Sequence, residues 1–552
     1  MLTNADKPHL GERPVESLEP REPIWLFDPW GWGPAVISAV VAVVLAIIYH
    51  FISQARGGFL LSLDEGYIHT VLAMNLADTG VLGLNPGQEG GGTSSPVWTL
   101  FMTLLTWIGV RPDIGAIFLS VVSLGLAVAF TVRYAFAMLK PHAAWTVAAI
   151  VALMGQEAAL SLTGLESMLI AAFVILALYF HGQGWSKRST ASFVAGSLIR
   201  PEVVFAAFTA WLADLYNAVT GKHRFKNWYR AMEKPTERFI QVFVVFLAGL
   251  AVISMLAGTP PTALTGRRWM YGLGNQLFTW QGDPTLSMLH YFRDLAVRLQ
   301  SFIGPGGTIG WIWAIFVFAL FVVGWVRLMI GPLSTGRATG VYLLLTPFFI
   351  GIVIGHEGHM SRYLAAFWML MPIVVLLGWT YLIDKLPHGG FRKVFSVALA
   401  ALLLAGLVPQ VGRWAVWHAD AVDHLRKVHL KMAYVVQETV PKDQSVAGFD
   451  IGLLAYRSHR HIVDLRGVTD REMANAIIHG RVPEILKQRH VEYVVLPETP
   501  YESTRYNLVK RLGFDPAKLK AIRTVTLGKG PKPYLRATQV AMTQLTLYKI
   551  PD

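Results

Sequence analysis

The chain has 552 residues, of which 53% are hydrophobic and only 15% are charged, whereas soluble domains carry about 25% charged residues. This composition excludes an ordinary soluble protein, and the absence of cysteine excludes disulfides and thiolate metal sites. The formal net charge is +13. Most of the surplus lies after residue 410, in a region suited to anionic lipid headgroups or an acidic glycan, or simply in a basic soluble domain.

The chain opens with a polar tail, residues 1–32, that lacks the features of a cleavable signal peptide. Apolar runs long enough to cross about 30 Å of hydrocarbon recur from there to residue 410 and predict a polytopic α-helical membrane protein. The runs lie near 33–54, 96–110, 114–139, 143–160, 165–181, 189–216, 239–257, 308–330, 339–355, 363–383 and 394–410.

The run 96–110 is shorter than a usual span, begins at a proline and contains two tryptophans. If it lies flat on the outer surface, and if 189–216 is two short segments broken at Arg200-Pro201-Glu202, several basic loops fall on the cytoplasmic side, among them Lys187-Arg188, 222–230 and Arg392-Lys393. This threading predicts about 11 spans, a cytoplasmic N-terminus and two large outer loops, 55–113 and 258–307. It also predicts that the site and the C-terminal part are extracytoplasmic.

Residues 411–552 are not apolar enough to span a membrane. An amphipathic stretch, 414–438, is followed by five β-like runs, and helical pieces lie between several of them. This order predicts a small α/β domain with a partly parallel sheet. The β-like runs are 445–449, 461–465, 491–496, 522–527 and 543–550.

Two adjacent acids, Asp64 and Glu65, follow the first span. The sequence predicts a helix that starts at Asp64, where the helix dipole favours a negative charge. From the residues alone, Asp64 is equally well explained as a helix cap or as a general base that takes a proton from an attacking hydroxyl.

Charged residues at membrane depth are costly and indicate function. Arg200 and Glu202 interrupt one apolar run, Arg362-Tyr363 begins another, and Glu166 begins a third. Arginines at an outer bilayer surface can hold a phosphate by paired hydrogen bonds, although snorkelling toward the headgroups is the simpler explanation of any one of them. Arg267 and Arg268, in the second large loop, are further candidates.

The stretch His356-Glu357-Gly358-His359 has two histidines and an acid at spacings that a divalent ion could use. The order departs from the H-E-x-x-H pattern of zinc enzymes, and a hydrogen-bonded loop explains it better. No metal site is predicted, and no cofactor is required.

Taken in order, the polar motifs resemble those of the GT-C superfamily of membrane glycosyltransferases, which use polyprenyl-phosphate-linked sugars. Within it, they are most similar to the group that includes the mycobacterial terminal arabinofuranosyltransferase AftB. The acidic pair is Asp-Glu where that group has Asp-Asp. The motifs are Asp64-Glu65-Gly66-Tyr67-Ile68, Asn75, Asn85-Pro86-Gly87, Ser95-Pro96-Val97-Trp98, Thr163-Gly164-Leu165-Glu166, Arg200-Pro201-Glu202, Arg362-Tyr363 and Asp464-Leu465-Arg466-Gly467.

The resemblance implies a GT-C fold with surface helices in the first outer loop, and a catalytic membrane domain over 33–410. It implies an inverting hexosyl or pentosyl transfer to a glycan, lipid or protein acceptor, in the inner membrane of a bacterium. Asp64 would be the base, with Glu65 auxiliary or an alternative base. Donor-phosphate candidates are Arg362, Tyr363, Arg200, Arg267 and Arg268; substrate-binding candidates are Tyr67, Asn75, Asn85, Trp98, Glu166, Glu202, His356 and His359.

Two other functions share some of these features. A transporter or flippase for a lipid-linked sugar would use the arginines but would not need the first-loop acids. A non-enzymatic assembly scaffold would depend mainly on the C-terminal domain. The partners expected in each case are the bilayer and a lipid-linked sugar or glycan, not a nucleic acid.

Overall fold

The computed structural model describes residues 29–88, 93, 95–220, 228–256, 291–293, 295–299, 307–331, 336–353, 359–387, 389–479, 481–499, 512, 514, 518–528, 534–535 and 543–550. Within them, long helices precede a small sheet-containing domain. The helices up to residue 256 are α1 (Pro29–Gly57), α2 (Asp64–Thr79), α3 (Pro96–Trp107), α4 (Pro112–Met138), α5 (Pro141–Ala152), α6 (Gly155–Leu160), α7 (Ser167–Gly182), α8 (Ser186–Ile199), α9 (Glu202–Thr220) and α10 (Trp228–Leu256).

The remaining elements alternate between helices and strands after residue 444. The helices are α11 (Gly307–Ile330), α12 (Arg337–Val353), α13 (Ala365–Asp384), α14 (Gly390–Leu425), α15 (Lys431–Thr439), α16 (Gly452–Ser458), α17 (Arg471–Ile478) and α18 (Val482–Gln488). The strands are β1 (Ser445–Gly448), β2 (His461–Asp464), β3 (Tyr493–Thr499), β4 (Lys520–Thr526) and β5 (Gln544–Lys549).

Eight helical segments in the described part of the chain are long and apolar enough to cross a membrane. They are Trp32–Gly57, Pro112–Met138, Pro141–Leu160, Glu202–Thr220, Trp228–Val252, Thr308–Ile330, Met360–Asp384 and Arg392–Thr439. The chain is therefore a multi-pass membrane protein, as predicted. The sequence predicts about eleven spans; the other three would be α7, α8 and α12, which are shorter than these eight, and they stay predictions.

The break predicted at Arg200-Pro201-Glu202 is confirmed, because α8 ends at Ile199 and α9 begins at Glu202. Helix α3 has 12 residues and is therefore about 18 Å long, too short for a hydrocarbon core of about 30 Å. Its position on the outer surface stays a prediction.

The membrane core is built from α1, α4, α5, α7, α13 and α14. Helix α1 packs against α4 and α14, and α7 packs against α4 and α8. Many of the contact residues are alanines, such as Ala46, Ala127 and Ala171, each of which is fully buried or nearly so. Small side chains let helices approach closely where lipid provides no hydrophobic force between them.

The C-terminal domain contains a five-stranded mixed sheet with the strand order β2-β1-β3-β5-β4. Strands β2 and β3 both pair parallel to β1, whereas β5 pairs antiparallel to β3 and β4. The predicted small α/β domain with a partly parallel sheet is confirmed.

The predicted amphipathic stretch 414–438 continues the last span without a break. Helix α14 passes through a π-helical segment, Arg426–Leu430, directly into α15. One helical rod therefore runs from the membrane part into the sheet domain. The proposed boundaries 1–32, 33–410 and 411–552 stay predictions.

Helix α2 packs on the C-terminal domain and shares its core. Successive residues of β1, Val446 and Ala447, belong to opposite faces of the sheet, as the alternation of a strand requires. On the Val446 face, Ile68 and Leu72 of α2 join the core that Val436 of α15 lines. The segment between α1 and α4 is thus packed against residues almost 400 positions later.

Candidate active site

The helix predicted to start at Asp64 is confirmed, and it ends where Gly80 adopts a left-handed φ of 72°. The cap explanation for Asp64 is wrong in its simple form. The N-cap position is Leu63, and no side chain caps this helix. Asp64 is free to use its carboxylate elsewhere.

The Asp64 carboxylate binds the backbone of the C-terminal domain. Its Oδ2 accepts a hydrogen bond from the amide of Gly452 and its Oδ1 accepts one from Leu453, both at 2.8 Å. Gly452 is required here because a Cβ at this position would lie 2.0 Å from the backbone oxygen of Asp64. The side chain of Asp64 therefore joins the start of α2 to the first turn of α16.

Burial, and to a smaller extent the nearby charge of Asp450, raise the pKa of Asp64, which is about 6. The charge of His429 and the two amide hydrogen bonds oppose this increase. At neutral pH the carboxylate is mainly ionised, yet it holds a proton more readily than an exposed aspartate. A base needs both properties.

Glu65 faces an arginine of the C-terminal domain. Arg466 Nη1 lies 3.4 Å from Glu65 Oε1 and 3.8 Å from Asp450 Oδ1, and Asp450 Oδ2 lies 3.0 Å from Nε2 of His429. His429 lies in the π-helical segment, a type of helix irregularity often found at functional sites. We call Asp64, Glu65, His429, Asp450 and Arg466 the acidic centre.

A second group of charges lies within the membrane domain. Arg200 Nη1 donates to Glu166 at 2.7 Å, and Arg200 Nε donates to Glu202 at 3.0 Å. The predicted pairing of Arg200 with Glu202 is therefore confirmed, with Glu166 as a second partner. Burial alone would raise the pKa of Glu166, but the charges of Arg200 and His69 lower it to about 2.

Arg362 lies beside this network but is bonded differently. Its Nη2 donates to the hydroxyl of Tyr363 at 3.1 Å, and the guanidinium of Arg200 lies over the ring of Tyr363, 5.2 Å from its centre. In the described residues no carboxylate is within ion-pair distance of Arg362, and its buried Nε has no acceptor. We call Glu166, Arg200, Glu202, Arg362 and Tyr363 the arginine centre.

Arg362 follows a strained turn. Met360 and Ser361 have left-handed φ angles of 53° and 58°, which non-glycine residues rarely adopt and which cluster at functional sites. The side-chain amide of Gln156 donates to the carbonyl of Met360 at 3.2 Å. Gln156 thus supports the turn that carries Arg362.

Helix α2 connects the two centres. Glu65, near its start, acts electrostatically on Arg466 of the acidic centre and on Arg362 of the arginine centre. One turn later, Nε2 of His69 lies 3.8 Å from Glu166. The two centres are therefore adjacent parts of one polar region.

Four predicted substrate-binding residues make internal hydrogen bonds. The side-chain amide of Asn75 donates hydrogen bonds to the carbonyls of Gly83 and Leu84. The hydroxyl of Tyr67 accepts a hydrogen bond from the backbone amide of Leu61. Trp98 donates to the carbonyl of Gly164. The amide of Asn85 pairs with both backbone groups of Ile462, at 2.8 and 3.0 Å, on the edge of β2.

These contacts give the four residues structural roles, and their predicted contact with substrate stays a prediction. Arg267, Arg268 and His356 lie outside the described residues, as does the side chain of His359. Within the described ranges, no group of three or more histidines, aspartates or glutamates is arranged to hold a metal ion.

An apolar groove of 340 Å³ lies between α11, α13 and the helical residues 295–299. Phe318 and Phe321 line it from α11, and Phe367, Trp368 and Met371 line it from α13. Helix α13 starts three residues after Arg362. The groove therefore borders the same helix whose beginning lies at the arginine centre.

The sequence does not predict four residues of this region, which are His429, Asp450, Gly452 and Gln156. It predicts Arg466 only as part of a motif. The one usable signal was Arg466 itself, since its motif follows the first-loop motifs in order. Gln156 is a polar residue in an apolar run, which is only a weak signal of function. Nothing local to His429 or Asp450 indicates that they approach residue 64.

A domain of unknown function (DUF8728) matches residues 417–544, which is the C-terminal domain. No curated protein sequence matches the chain. The match covers less than a quarter of the chain and assigns no activity to it.

Two solved structures share the fold over most of the chain. The oligosaccharyltransferase of Archaeoglobus fulgidus, in the apo form, has a TM-score of 0.53 at 13% identity, over 86% of this chain and 70% of its own. ArnT from Cupriavidus metallidurans, bound to undecaprenyl phosphate, has a TM-score of 0.54 at 12% identity, over 92% and 97%. The predicted GT-C fold is confirmed.

The arabinofuranosyltransferase AftD from Mycobacteria is also similar, with a TM-score of 0.36 at 12% identity, over 93% of this chain and 41% of its own. A score this low carries no argument about substrate. The narrower resemblance to the AftB group stays a prediction.

Proposed function

We propose that this protein is an inverting glycosyltransferase that moves a sugar from a polyprenyl-phosphate carrier to an acceptor hydroxyl of a cell-envelope glycan. The observation that carries the proposal is the position of Arg362. It has an unsatisfied buried donor, lies in the field of Glu65, and stands at the beginning of a helix that lines an apolar groove. A lipid-linked phosphate needs the hydrogen-bond donor and the apolar groove, and a transfer reaction needs the acid nearby.

The reaction forms a bond between the acceptor oxygen and the anomeric carbon. The acceptor O–H bond breaks as its proton passes to a carboxylate. The bond between the anomeric carbon and the phosphate oxygen breaks, and its electron pair stays on the departing polyprenyl phosphate. Attack opposite to the leaving group inverts the anomeric centre.

Asp64 is the base in this proposal. Its two amide hydrogen bonds fix the carboxylate plane and leave a lone pair on each oxygen to accept a proton. Its pKa of about 6 is close to the working pH, where a general base is most effective. Glu65 is the next residue, and its negative charge offsets the positive charges of Arg466 and Arg362.

Arg362 binds the donor phosphate, and Arg200 supports it through Tyr363. A buried guanidinium donor without an acceptor is costly, and a phosphate oxygen would satisfy it. The groove along α13 would take the beginning of the isoprenoid chain. ArnT was crystallised with undecaprenyl phosphate, and we extend that class of carrier to this protein.

The site faces the outside of a bacterial inner membrane in this proposal. The support is the charge of the loops, because this threading places the basic loops around Lys187-Arg188, 222–230 and Arg392-Lys393 on the cytoplasmic side. The sugar is a hexose or a pentose, and the acceptor is a glycan, a lipid or a protein of the envelope.

The test uses the full chain in lipid nanodiscs with undecaprenyl-phosphate-linked pentose, hexose and aminosugar in turn. A delipidated envelope fraction of the source organism supplies the acceptor, and mass spectrometry follows the release of undecaprenyl phosphate. We expect transfer from one of these donors. Asp64→Asn should lower it by about 10²–10⁴-fold, the usual contribution of a general base.

Asp78→Asn is the matched control, because Asp78 is an exposed acid on the same helix. It should behave like the wild type. Binding of undecaprenyl phosphate by Asp64→Asn should also be unchanged. A protein that moves the lipid-linked sugar across the bilayer without releasing undecaprenyl phosphate, in wild type and Asp64→Asn alike, would instead be a flippase.

A further inference from the structure

The catalytic centre contains groups from two distant parts of the chain. Asp64 and Glu65 come from the start of α2, whereas residues 452, 453 and 466, which contact them, come from the C-terminal domain. The amide contacts of Asp64 are 388 and 389 residues away in sequence. Neither acid has its observed geometry without the C-terminal domain.

We propose that the C-terminal domain contributes part of the transferase centre. The amides of Gly452 and Leu453 orient Asp64, and Arg466 is a positioning residue that holds Glu65 in place. This inference rests on the proposed function and deepens it. Transfer then requires the domain to be docked on α2, so the domain is more than an accessory that presents the acceptor.

Arg466 reaches Glu65 from a rigid turn. The carboxylate of Asp464 accepts hydrogen bonds from the amides of Arg466, at 2.8 Å, and Thr469, at 2.7 Å. Gly467, with φ of 62°, supplies the left-handed residue of this turn. A side chain carried on such a turn loses little conformational freedom when it binds a carboxylate.

Arg466 is also held from its other side. Its guanidinium lies 5.2 Å from the centre of the Phe449 ring and 3.8 Å from Asp450. Asp450 is in turn fixed by its contact with the buried His429. Glu65 therefore faces a cation whose position is set by two other groups, as a preorganised site requires.

The docking surface is apolar around these polar contacts. Ile68, Val71 and Leu72 of α2 are buried in the same core as Val446 and Ile451. This packing holds the domain in place without Arg466. Changing Arg466 therefore tests the positioning of Glu65 separately from docking.

The experiment repeats the donor assay with Arg466→Met, Arg466→Lys and Arg489→Met. Arg489 is the matched control, since it also belongs to the C-terminal domain but pairs with Asp470 and Glu472, away from the acidic centre. Hydrogen–deuterium exchange of the peptides around 64–72 and 450–456 reports docking. Binding of undecaprenyl phosphate reports the state of the membrane domain.

We expect Arg466→Met to lower kcat by about 100-fold, the loss that a small misplacement of a catalytic group can cause. Its exchange protection and its affinity for undecaprenyl phosphate should match the wild type. Arg466→Lys should recover part of the rate, and Arg489→Met should keep all of it. In the double variant Glu65→Gln/Arg466→Met the two losses should not multiply, because the residues act as a pair.

A second variant tests the orientation of Asp64. Gly452→Ala would place a methyl group 2.0 Å from the backbone oxygen of Asp64 and should lower transfer at least as much as Arg466→Met. Gly412→Ala, at a helical glycine with no atom within 4 Å of the added Cβ, is the control and should be fully active.

The outcomes separate the two proposals. Wild-type transfer by Arg466→Met, with Asp64→Asn inactive, overturns this inference and leaves the proposed function intact. Wild-type transfer by Asp64→Asn overturns the proposed function itself. Loss of exchange protection together with transfer in Arg466→Met would make Arg466 a structural residue and would also overturn its positioning role.

Discussion

The acidic centre and the arginine centre are neighbours, but they are stabilised in opposite ways. In the arginine centre, Arg200 is neutralised by two carboxylates of the membrane domain, Glu166 and Glu202. In the acidic centre, three acids share one arginine and one histidine from the other domain. In the first, the charge of Arg200 is matched by carboxylates, and in the second the acids outnumber the basic groups that face them.

The same contrast divides the two arginines of the arginine centre. Arg200 has its ion-pair capacity filled, whereas Arg362 has a buried nitrogen without an acceptor. Two arginines, each about 5 Å from the centre of the Tyr363 ring, therefore have different tasks. The following predictions test this division, from the largest expected effect to the smallest.

Arg200→Met should destabilise the protein by about 3–5 kcal/mol, because it leaves Glu166 and Glu202 buried without a counter-charge. Thermal unfolding in detergent, followed by size exclusion, measures the loss. Lys140→Met removes an exposed pair with Asp384 and should cost less than about 1 kcal/mol. Equal stability of the two variants would contradict the structural role of Arg200.

Arg362→Met should leave thermal stability almost unchanged, since no described carboxylate loses its partner. It should weaken binding of undecaprenyl phosphate by about 10–150-fold, the value of a charged hydrogen bond of about 1.5–3 kcal/mol. Native mass spectrometry of the purified protein with added lipid measures this. If Arg362→Met unfolds like Arg200→Met, the distinction between the two arginines is wrong.

The rate of transfer should fall about tenfold per pH unit below an apparent pKa near 6, the value of Asp64. The sign follows from the base, which is inactive once protonated. Arg362→Met should be slower at every pH and keep the same acid limb. A limb near pH 4 would indicate that an exposed carboxylate is the base.

Glu166 predicts a pH effect on stability, at a lower pH than the effect of Asp64 on the rate. Its pKa in the folded state, about 2, is below its value in the unfolded chain, so its ion pair stabilises the protein above the unfolded pKa. That contribution is lost as the pH falls toward 2. Acid unfolding of Glu166→Gln should lose this part of its pH dependence, which a titration of thermal stability between pH 5 and 2 can measure.

The smallest effect should come from Asn85→Ala. It removes the two hydrogen bonds to Ile462 and should cost about 1–3 kcal/mol, together with faster exchange of the Ile462 amide. Gln88→Ala removes a bond that Gln88 accepts from Asn85 and an exposed contact with His461, but it leaves both bonds between Asn85 and Ile462 and should cost less. Unchanged exchange at Ile462 would show that Asn85 does not cover the edge of β2.

Local patterns in the sequence predicted the elements well. Acids in the first turn indicate the start of α2 at Asp64, a proline indicates the break at Arg200-Pro201-Glu202, and alternation indicates all five strands. The polar motifs also include Asp64 and Glu65 of the acidic centre and Arg200 and Arg362 of the arginine centre. What these residues share is a signal contained within a few positions of the chain.

The other half of the acidic centre could not be predicted in this way. His429 and Asp450 approach Asp64 only because α2 packs into the core of the sheet domain, a contact between residues far apart in sequence. Its geometry depends on a π-helical segment and on the absence of a side chain at Gly452. The roles of Asn75, Asn85 and Trp98 as internal braces were hidden for the same reason, since each binds backbone that the sequence does not show to be near.

The rod formed by α14, the π-helical segment and α15 sets the alignment between membrane and domain. Its 48 residues from Arg392 to Thr439 are about 72 Å long, and no flexible linker interrupts them. Inserting one residue in 411–425 would rotate the C-terminal domain by about 100° about the helix axis and shift it by about 1.5 Å along that axis. This movement would take Gly452 away from Asp64. An insertion of seven residues would nearly restore the angle but not the height. The length of this helix is thus as tightly constrained as the identity of any catalytic side chain.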